Sequence, residues 1–558
     1  MTAPDETTIY PARRVITMNP AYPVAEAVAV RGTRILGVGT CDELASWGAH
    51  TVDDRFADQV LLPGFVEAHT HVMSGGVWQF PYVGYFDRRG PDGRIWPGSG
   101  DIAAVVRRLQ EFEAELTDPE QVLIAWGLDP IYFAGERMTA AHLDQVSQTR
   151  PIFVYHASAH LATVNSALMR REGITADTPT PGVARGADGK PNGELQEPPA
   201  IMLAGEAFRR IAASMRTQDA MWNYAYEARN TGQTTITDLG TSQIDDSTQL
   251  ADWRAVTDDP SYPARVMVAA SNIFGGGASP EELAALAVDL KSKGTPKLRF
   301  GIVKLILDGS IQGFTARVSW PHYHHPPEGH PGNGLWLMAP EQMADIVGLY
   351  HAAGLTVHCH CNGDEAAEVF IDAVEAALIA HPRRDHRHTV QHCQLTTPAQ
   401  YRRMATLGMC ANIFSNHIYY WGDQHRDITV GPERAARMDA CATAGREGVS
   451  YAIHSDTPVT PMGQLHTAWC AVNRITASGQ VLGPDERISV DEALRAVTLG
   501  AAYQLGLDHE IGSLEAGKLA DFAVLEEDPT TVDPSALKDI GVWGTVVGGT
   551  PFEAPRPG

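Results

Sequence analysis

The chain has no run approaching the ~20 consecutive apolar residues of a membrane-spanning helix. Its first nineteen residues carry acids, prolines and two arginines, with no apolar core of signal-peptide length. No Cys-x-x-Cys pair occurs. Seven cysteines, an odd number, are scattered as Cys41, Cys359, Cys361, Cys393, Cys410, Cys441 and Cys470. That argues against a disulfide framework and for a reducing compartment. Basic residues are also short, with 43 Lys and Arg against 67 Asp and Glu, a formal charge of −24. A broad nucleic-acid surface needs a basic stripe, and an anionic membrane is an equally poor partner, so neither is expected. The expectation is a soluble, cytoplasmic protein without repeats. Its 558 residues are enough for a large core and more than one domain.

Residues 1 to about 62 read as short strands, with Ala27–Val30 and Arg34–Val38 parted by the turn Arg31-Gly32-Thr33. Residues 75–215 do not alternate strand and helix cleanly. A helix capped by Asp101 runs through Ile102, Val105, Val106, Leu109, Phe112 and Leu116, and 121–126 and 151–155 read as strands. The Gly- and Pro-rich stretch from Gly182 to Pro199 reads as loop. This region is expected to be a large insertion.

From about residue 220 strand candidates recur at 234–238, 264–269, 298–307, 355–360, 388–393, 409–414 and 449–454, mostly with helical patterns between them. With the strand that leads into His69 they make eight. Strands alternating with helices predict a parallel sheet, and eight such units predict a (β/α)8 TIM barrel. Residues 508–558 return to short strands and are expected to complete a small β-sandwich with the N-terminus. The expected fold is therefore α/β: a barrel over 63–507, an insertion at 75–215 after its first strand, and a composite β-sandwich from 1–62 and 508–558.

The chemistry centres on Pro63-Gly-Phe-Val-Glu-Ala-His69-Thr-His71. Residues i and i+2 of a strand share a face, so His69 and His71 can reach one metal ion. Alone the pair is a weak signal, since two core or surface histidines are commoner. Other residues change that weighing. Lys304 lies late on the fourth predicted strand, His360 ends the fifth, His392 ends the sixth, and Asp456 follows the eighth. Chemistry on a barrel sits at these strand ends. Imidazole and carboxylate suit Zn²⁺ and similar divalent ions.

Five further segments complete the pattern: Val303–Ser310, His360-Cys-Asn-Gly-Asp364, Val390-Gln-His-Cys-Gln394, His454-Ser-Asp-Thr-Pro-Val459 and Ile511–Leu525. With 63–71 they make the chain resemble the amidohydrolase superfamily, in its YtcJ-like branch (amidohydrolase family 3), which includes N-substituted formamide deformylase. The resemblance spans essentially the whole chain. It implies a metal-dependent hydrolase. His69, His71 and Asp456 would hold one divalent ion, zinc first, and His360 and His392 a second. Lys304 would bridge them as an N-carboxylated lysine. Glu67-Ala68 and Cys361-Asn362 depart from the family's commoner residues without removing a ligand.

The expected reaction is attack of metal-activated water on an amide carbonyl, with Asp456 as general base and then acid. Candidate substrate residues are His160, Glu197, His358, His417, Tyr420 and Trp421. Asp308 could orient a ligand or close a turn, and Asp364 reads more as a helix cap. Loop aromatics (Trp78, Phe80, Tyr82, Tyr85, Phe86, Trp96) are usually core, but here would also suit a lidded apolar pocket. The substrate expected is a small, partly hydrophobic N-substituted formamide or N-acyl amine. The alternatives are a cyclic amide hydrolase or deaminase, or a non-catalytic binding protein on a degraded barrel. A homodimer is compatible, though no stretch specifies one.

Overall fold

The structure, a computed structural model, describes residues 6–133, 137–240, 244, 247–271, 278–327 and 332–556. It divides into two units. The first comprises Met1–His71, Ala225–Thr457 and Met462–Pro555, and the second Val72–Tyr224, Pro458–Pro461 and Arg556–Gly558.

Eight strands of the first unit are labelled here in chain order: β1 Phe65–Thr70, β2 Gln233–Asp238, β3 Arg265–Val268, β4 Ile302–Ile306, β5 Thr356–Cys361, β6 Thr389–His392, β7 Cys410–Ile413 and β8 Ser450–Ile453. All their pairings are parallel. β1, β2 and β3 lie side by side with the two-residue strand Leu298–Arg299 beyond them, and β4 to β8 form a second sheet in chain order. A parallel bridge between Ala270 and Val303 joins the sheets. Helices such as Met343–Ala352, Asp364–Ala380 and Pro398–Leu407 follow the strands. The last is closed by a capping box at Thr397 and a left-handed Gly408.

Period-2 alternation sorts the side chains. Val357, Cys359 and Cys361 of β5, Val390 of β6 and Ala411 and Ile413 of β7 join one apolar core with residues of the helices, among them Phe370, Tyr401 and Met404. The alternate positions carry His358, His360, Gln391 and Asn412, all buried. The predicted strand 298–307 is two strands. Gly301, at φ +124, breaks it, so that 298–299 pairs with β3 and 302–306 with β5. The apolar run is continuous in sequence, and the turn at one glycine redirects it.

Both ends of the chain contribute to one eight-stranded sheet, in the order Thr550–Glu553, Val542–Val547, Phe522–Leu525, Val60–Pro63, Thr7–Ile16, Val24–Arg31, Arg34–Gly39, with His50–Val52 also paired to Thr7–Ile16. Asp521 ties this sheet to β3. Its carboxylate accepts from Arg265 Nε (2.7 Å) and Nη2 (3.0 Å), and from Gly548 N (2.7 Å), and its carbonyl accepts from Gly64 N (2.9 Å). A Cβ on Gly64 would lie 2.0 Å from Thr234 Oγ1, which accounts for glycine just before β1.

The second unit holds a five-stranded sheet in the order Val183–Arg185, Pro191–Gln196, Leu161–Val164, Ile152–His156, Leu123–Leu128. Asp101 caps the helix Ile102–Glu115, accepting from Ala104 N at 2.6 Å. The stretch 182–199, read as loop, is instead a hairpin followed by the helix Glu197–Ile201. Its Gly and Pro residues make the tight turn around Gly189 (φ +75) and start the helix. Trp78, Tyr82 and Trp126 pack edge to face here, with ring centroids 5.1 Å apart for Trp78–Trp126 and Tyr82–Trp126, and Tyr85 stacks on Tyr132 at 5.0 Å. These loop aromatics are core to their own unit. Among the described residues no helix is long and apolar enough to cross a membrane.

Candidate metal centre

β1 delivers Glu67 and His69 to one face, and the chain leaves the strand at His71, whose N–H donates to Thr457 O at 3.0 Å. That bond brings the segment after β8 beside the end of β1. Asp456 Oδ1 then lies 3.1 Å from His71 Nε2 and 3.4 Å from His69 Nε2. Lys304 of β4 places its Nζ 3.4 Å from the same His69 nitrogen. With metal–ligand bonds of 2.0–2.1 Å, ligand atoms on a tetrahedron stand about 3.3–3.4 Å apart. The two separations from Asp456 Oδ1 match or approach that edge. Asp456 Oδ1 and His71 Nδ1 are buried without a hydrogen-bond partner in the protein, as is His392 Nε2. The donor set and its open valences fit a divalent cation.

The backbone is bent to make this possible. His392 (φ +76), Cys393 (φ +50) and Asp456 (φ +54) all occupy the left-handed region without being glycine. Such conformations cost of order 1–3 kcal/mol each and gather at functional sites.

Among the described residues two groups place three ligand atoms within 4.8 Å of one another: His69–His71–Asp456 and His69–His392–His454. His360 belongs to neither. Its Nε2 lies 3.1 Å from Gly309 O and 3.0 Å from Asn362 Nδ2, although its ring centroid is 4.4 Å from that of His392. Asp308 organises that loop, accepting from Asn362 N (3.0 Å), Gly363 N (2.8 Å) and Arg317 N (2.9 Å). Asp364 accepts from Ser319 N at 2.8 Å and from the Ser319 hydroxyl, while Gly363 takes the N-cap position of its helix. The carboxylate therefore ties down a loop.

His454 is the histidine that spacing alone did not single out, although it lies in a quoted motif two residues before Asp456. It is fully buried. Its Nε2 is 3.2 Å from His392 Nδ1 and its Nδ1 3.1 Å from Asn412 Oδ1, and its ring stacks on His69 at 4.8 Å. Gln391 Oε1 lies 2.6 Å from His69 Nδ1 and accepts from Asn412 Nδ2 at 2.9 Å, while its Nε2 is 2.8 Å from His358 Nδ1. His358 thus acts on the amide network. Glu67 accepts from the Ser455 hydroxyl at 2.7 Å, and burial pushes its carboxyl up to about 8.

Burial dominates the electrostatics. It drives His69 and His392 well below the usual histidine value, helped by Lys304 and the neighbouring rings, and takes His358 and His454 to about 3. These rings are neutral, as ligands must be. Burial also lowers the Lys304 ammonium to about 8. At Asp456 burial works upward but is outweighed by His71 beside it and by Lys304, and the carboxylate stays below its ordinary range.

The remaining candidates fall in two places. In the first unit His417 lies on the helix Asn416–Gln424 between Phe414 (4.5 Å) and Trp421 (4.4 Å), with Nδ1 2.9 Å from His425 Nε2. Phe414 in turn stacks on His454 at 4.8 Å. Tyr420 packs against His466, with ring centroids 5.6 Å apart. In the second unit His160 Nδ1 pairs with Glu197 Oε2 at 2.8 Å, and Glu197 adopts φ +63.

The model of the amidohydrolase family matches residues 57–552. The chain is 28% identical to "Protein LONG AFTER FAR-RED 3" of Arabidopsis thaliana, over 96% of this chain and 89% of that one. It is 26% identical to N-substituted formamide deformylase of Arthrobacter pascens, over 96% of each. A crystal structure of an uncharacterized metal-dependent hydrolase from Pyrococcus horikoshii superposes with a TM-score of 0.69, covering 95% of this chain and 99% of that one at 18% identity.

Proposed function

This chain belongs to the amidohydrolase family and is a hydrolase of carbon–nitrogen bonds, and from that premise we propose that it cleaves a linear non-peptide amide. The substrate is a small, partly hydrophobic N-substituted formamide or N-acyl amine. The observation that carries the reading is the convergence of His69 Nε2, His71 Nε2 and Asp456 Oδ1 at 3.1–3.4 Å. The similarity to the formamide deformylase along nearly the full length of both chains supports the substrate class.

We read β1 to β8 as the eight strands of one (β/α)8 barrel. Their order in the chain, the Ala270–Val303 bridge and the His71–Thr457 bond support closure. The sheet built from both termini is then the sandwich domain, 1–62 with 508–558. The barrel spans 63–507, with the insertion at 75–215.

His69, His71 and Asp456 would hold a divalent cation, zinc first. A second ion would use His392, whose Nε2 is buried and open, together with His360. When bound, such an ion supplies Lewis acidity toward a carbonyl and ionises water near neutral pH. The chain's own residues do the rest. Asp456, ionised and beside His71, takes the proton of the attacking water and hands it to the leaving amine. Lys304, buried and partly neutral near pH 8, is suited to take up CO2 with loss of a proton, which would replace a repelling ammonium by an anionic carbamate able to hold a cation. His417, wedged between Phe414 and Trp421, is placed to orient the substrate carbonyl.

The test is amine release from a panel of N-alkyl and N-aryl formamides, acetamides and cyclic amides, with and without a chelator. Chelator-sensitive release from linear members is expected. Turnover of cyclic members alone would move the assignment to ring opening. Silence throughout in metal-loaded protein would refute the substrate class.

A further inference from the structure

We infer that Gln391, Asn412 and His454 are positioning residues, which fix through one directional hydrogen-bond chain the tautomers in which His69 and His392 both offer Nε2 to a metal. The inference rests on the metal-site reading above.

The chain runs His69 Nδ1–Gln391 Oε1 (2.6 Å), Gln391 Oε1–Asn412 Nδ2 (2.9 Å), Asn412 Oδ1–His454 Nδ1 (3.1 Å), His454 Nε2–His392 Nδ1 (3.2 Å). All five residues are buried, so water does not compete. Each amide has one accepting and one donating end, and each neutral imidazole one of each. Every link therefore dictates the next, and only two polarities are self-consistent. In the first, Gln391 Oε1 accepts from His69 Nδ1–H and Asn412 Nδ2–H. Asn412 Oδ1 accepts from His454 Nδ1–H, and His454 Nε2 accepts from His392 Nδ1–H. Both His69 Nε2 and His392 Nε2 are then lone pairs. In the second every bond reverses, and both Nε2 atoms carry hydrogens that block a cation.

Two observations select the first. Lys304 Nζ, a donor, lies 3.4 Å from His69 Nε2, which must then accept. At the other end, Gln391 Nε2 faces His358 Nδ1 at 2.8 Å. The amide nitrogen is the donor of that pair, so His358 Nδ1 accepts and Gln391 donates its NH2 there. Gln391 Oε1 is thereby turned to His69. The orphaned, buried His392 Nε2 is the far end of the same chain.

The polarity can be rewritten chemically. Gln391→Glu keeps an acceptor for His69 and Asn412. Asn412→Asp cannot donate to Gln391, so the glutamine turns its NH2 toward Asp and His69, and His69 moves its hydrogen to Nε2. His454→Phe deletes the acceptor for His392. The readout is zinc stoichiometry and affinity by competition with a chromophoric chelator, alongside the melting temperature of the metal-free protein. Outer-sphere partners of metal ligands are worth about 10–100-fold in affinity, so N412D and H454F should weaken zinc by that factor at unchanged stoichiometry, with Q391E within about threefold of wild type. H454F carries the test if N412D does not fold. Equal loss in Q391E and N412D, or wild-type affinity in N412D, overturns the polarity. Loss of a whole zinc equivalent in H454F makes His454 a ligand and overturns its positioning role. A wild-type protein that takes up no zinc overturns the metal reading itself, a result distinct from the others.

Discussion

At the N-terminal ends of β5 and β6, below the strand ends that carry His360 and His392, three more histidines form a relay whose direction the backbone dictates. Val357 N donates to His388 Nδ1 (2.9 Å), so His388 Nε2–H donates to His351 Nδ1 (2.8 Å), and His351 Nε2–H donates to His381 O (2.7 Å). His386 accepts from His388 N (3.0 Å) and donates to Leu407 O (2.8 Å). Every ring nitrogen is used, and a second proton on any ring would have no acceptor. His388→Leu strips the acceptor from buried Val357 N–H and the donor from buried His351 Nδ1. Each orphaned group costs about 1–3 kcal/mol, or about 2–6 kcal/mol together. Burial first, then His386, His351, Arg383 and His358, hold His388 well below its usual value. The folded protein therefore binds fewer protons than the unfolded chain, and this stability is complete above about pH 6.5 and lost as pH falls. From pH 7.5 to 5.5 the loss through His388 alone is about 1.4 kcal/mol. Hydrogen exchange of peptides covering 355–361 reads this locally, without assuming a two-state transition for so large a chain. H388L should lower protection at pH 7.5 by roughly 30-fold to 25,000-fold. After correction for intrinsic exchange, it should also show a shallower fall toward pH 5.5 than wild type. Wild-type protection in H388L, or an identical pH dependence, would refute the relay.

Asp456→Asn should retain the fold but weaken zinc, and at saturating zinc should lower kcat by at least about 100-fold, the usual scale of a lost general base; retained turnover would remove the proton-transfer role. Prolonged dialysis against a chelator should lower the melting temperature, and added zinc should restore it in a concentration-dependent way; a melting temperature indifferent to zinc would count against a bound ion. Gly363→Ala sets a Cβ 1.8 Å from the Arg317 carbonyl oxygen, so the Asp308 loop must move, at a cost of about 1–3 kcal/mol or more; denaturant titration should show it, and unchanged stability would mean the loop yields freely. Arg474→Met leaves the carbonyls of Met438, Asp439 and Leu482, each now receiving a guanidinium N–H at 2.8–3.1 Å, without donors, and should cost about 3–5 kcal/mol; a loss under 1 kcal/mol would show that water replaces the side chain.

Much of the fold was legible because alternation is a local signal. His358 and His360 fall on one side of β5 and Val357, Cys359 and Cys361 on the other, and the same rule marks β6 and β7. It failed where one residue changes direction inside an apolar run, as at Gly301, and where turn residues serve a hairpin, as in 182–199. The site shows a subtler limit. Strict alternation sends His392 to the face opposite Gln391. The left-handed backbone at His392 breaks the alternation at the last residue of the strand, so that His392 and the Gln391 amide join one hydrogen-bond chain. Asp456, three residues past β8, reaches His69 and His71 by the same device. Residue type and order along the chain therefore announced which side chains could gather. The partners that set their tautomers, Gln391, Asn412 and His454, come from three different strands or strand exits and act across them. Their role depends on which of two polarities a chain of amides and imidazoles adopts, and no spacing in the sequence encodes that. It is fixed at the two ends, by Lys304 at His69 and by His358 at the Gln391 NH2, and so only appears once β1, β4, β5, β6 and β7 are brought together with the exit of β8.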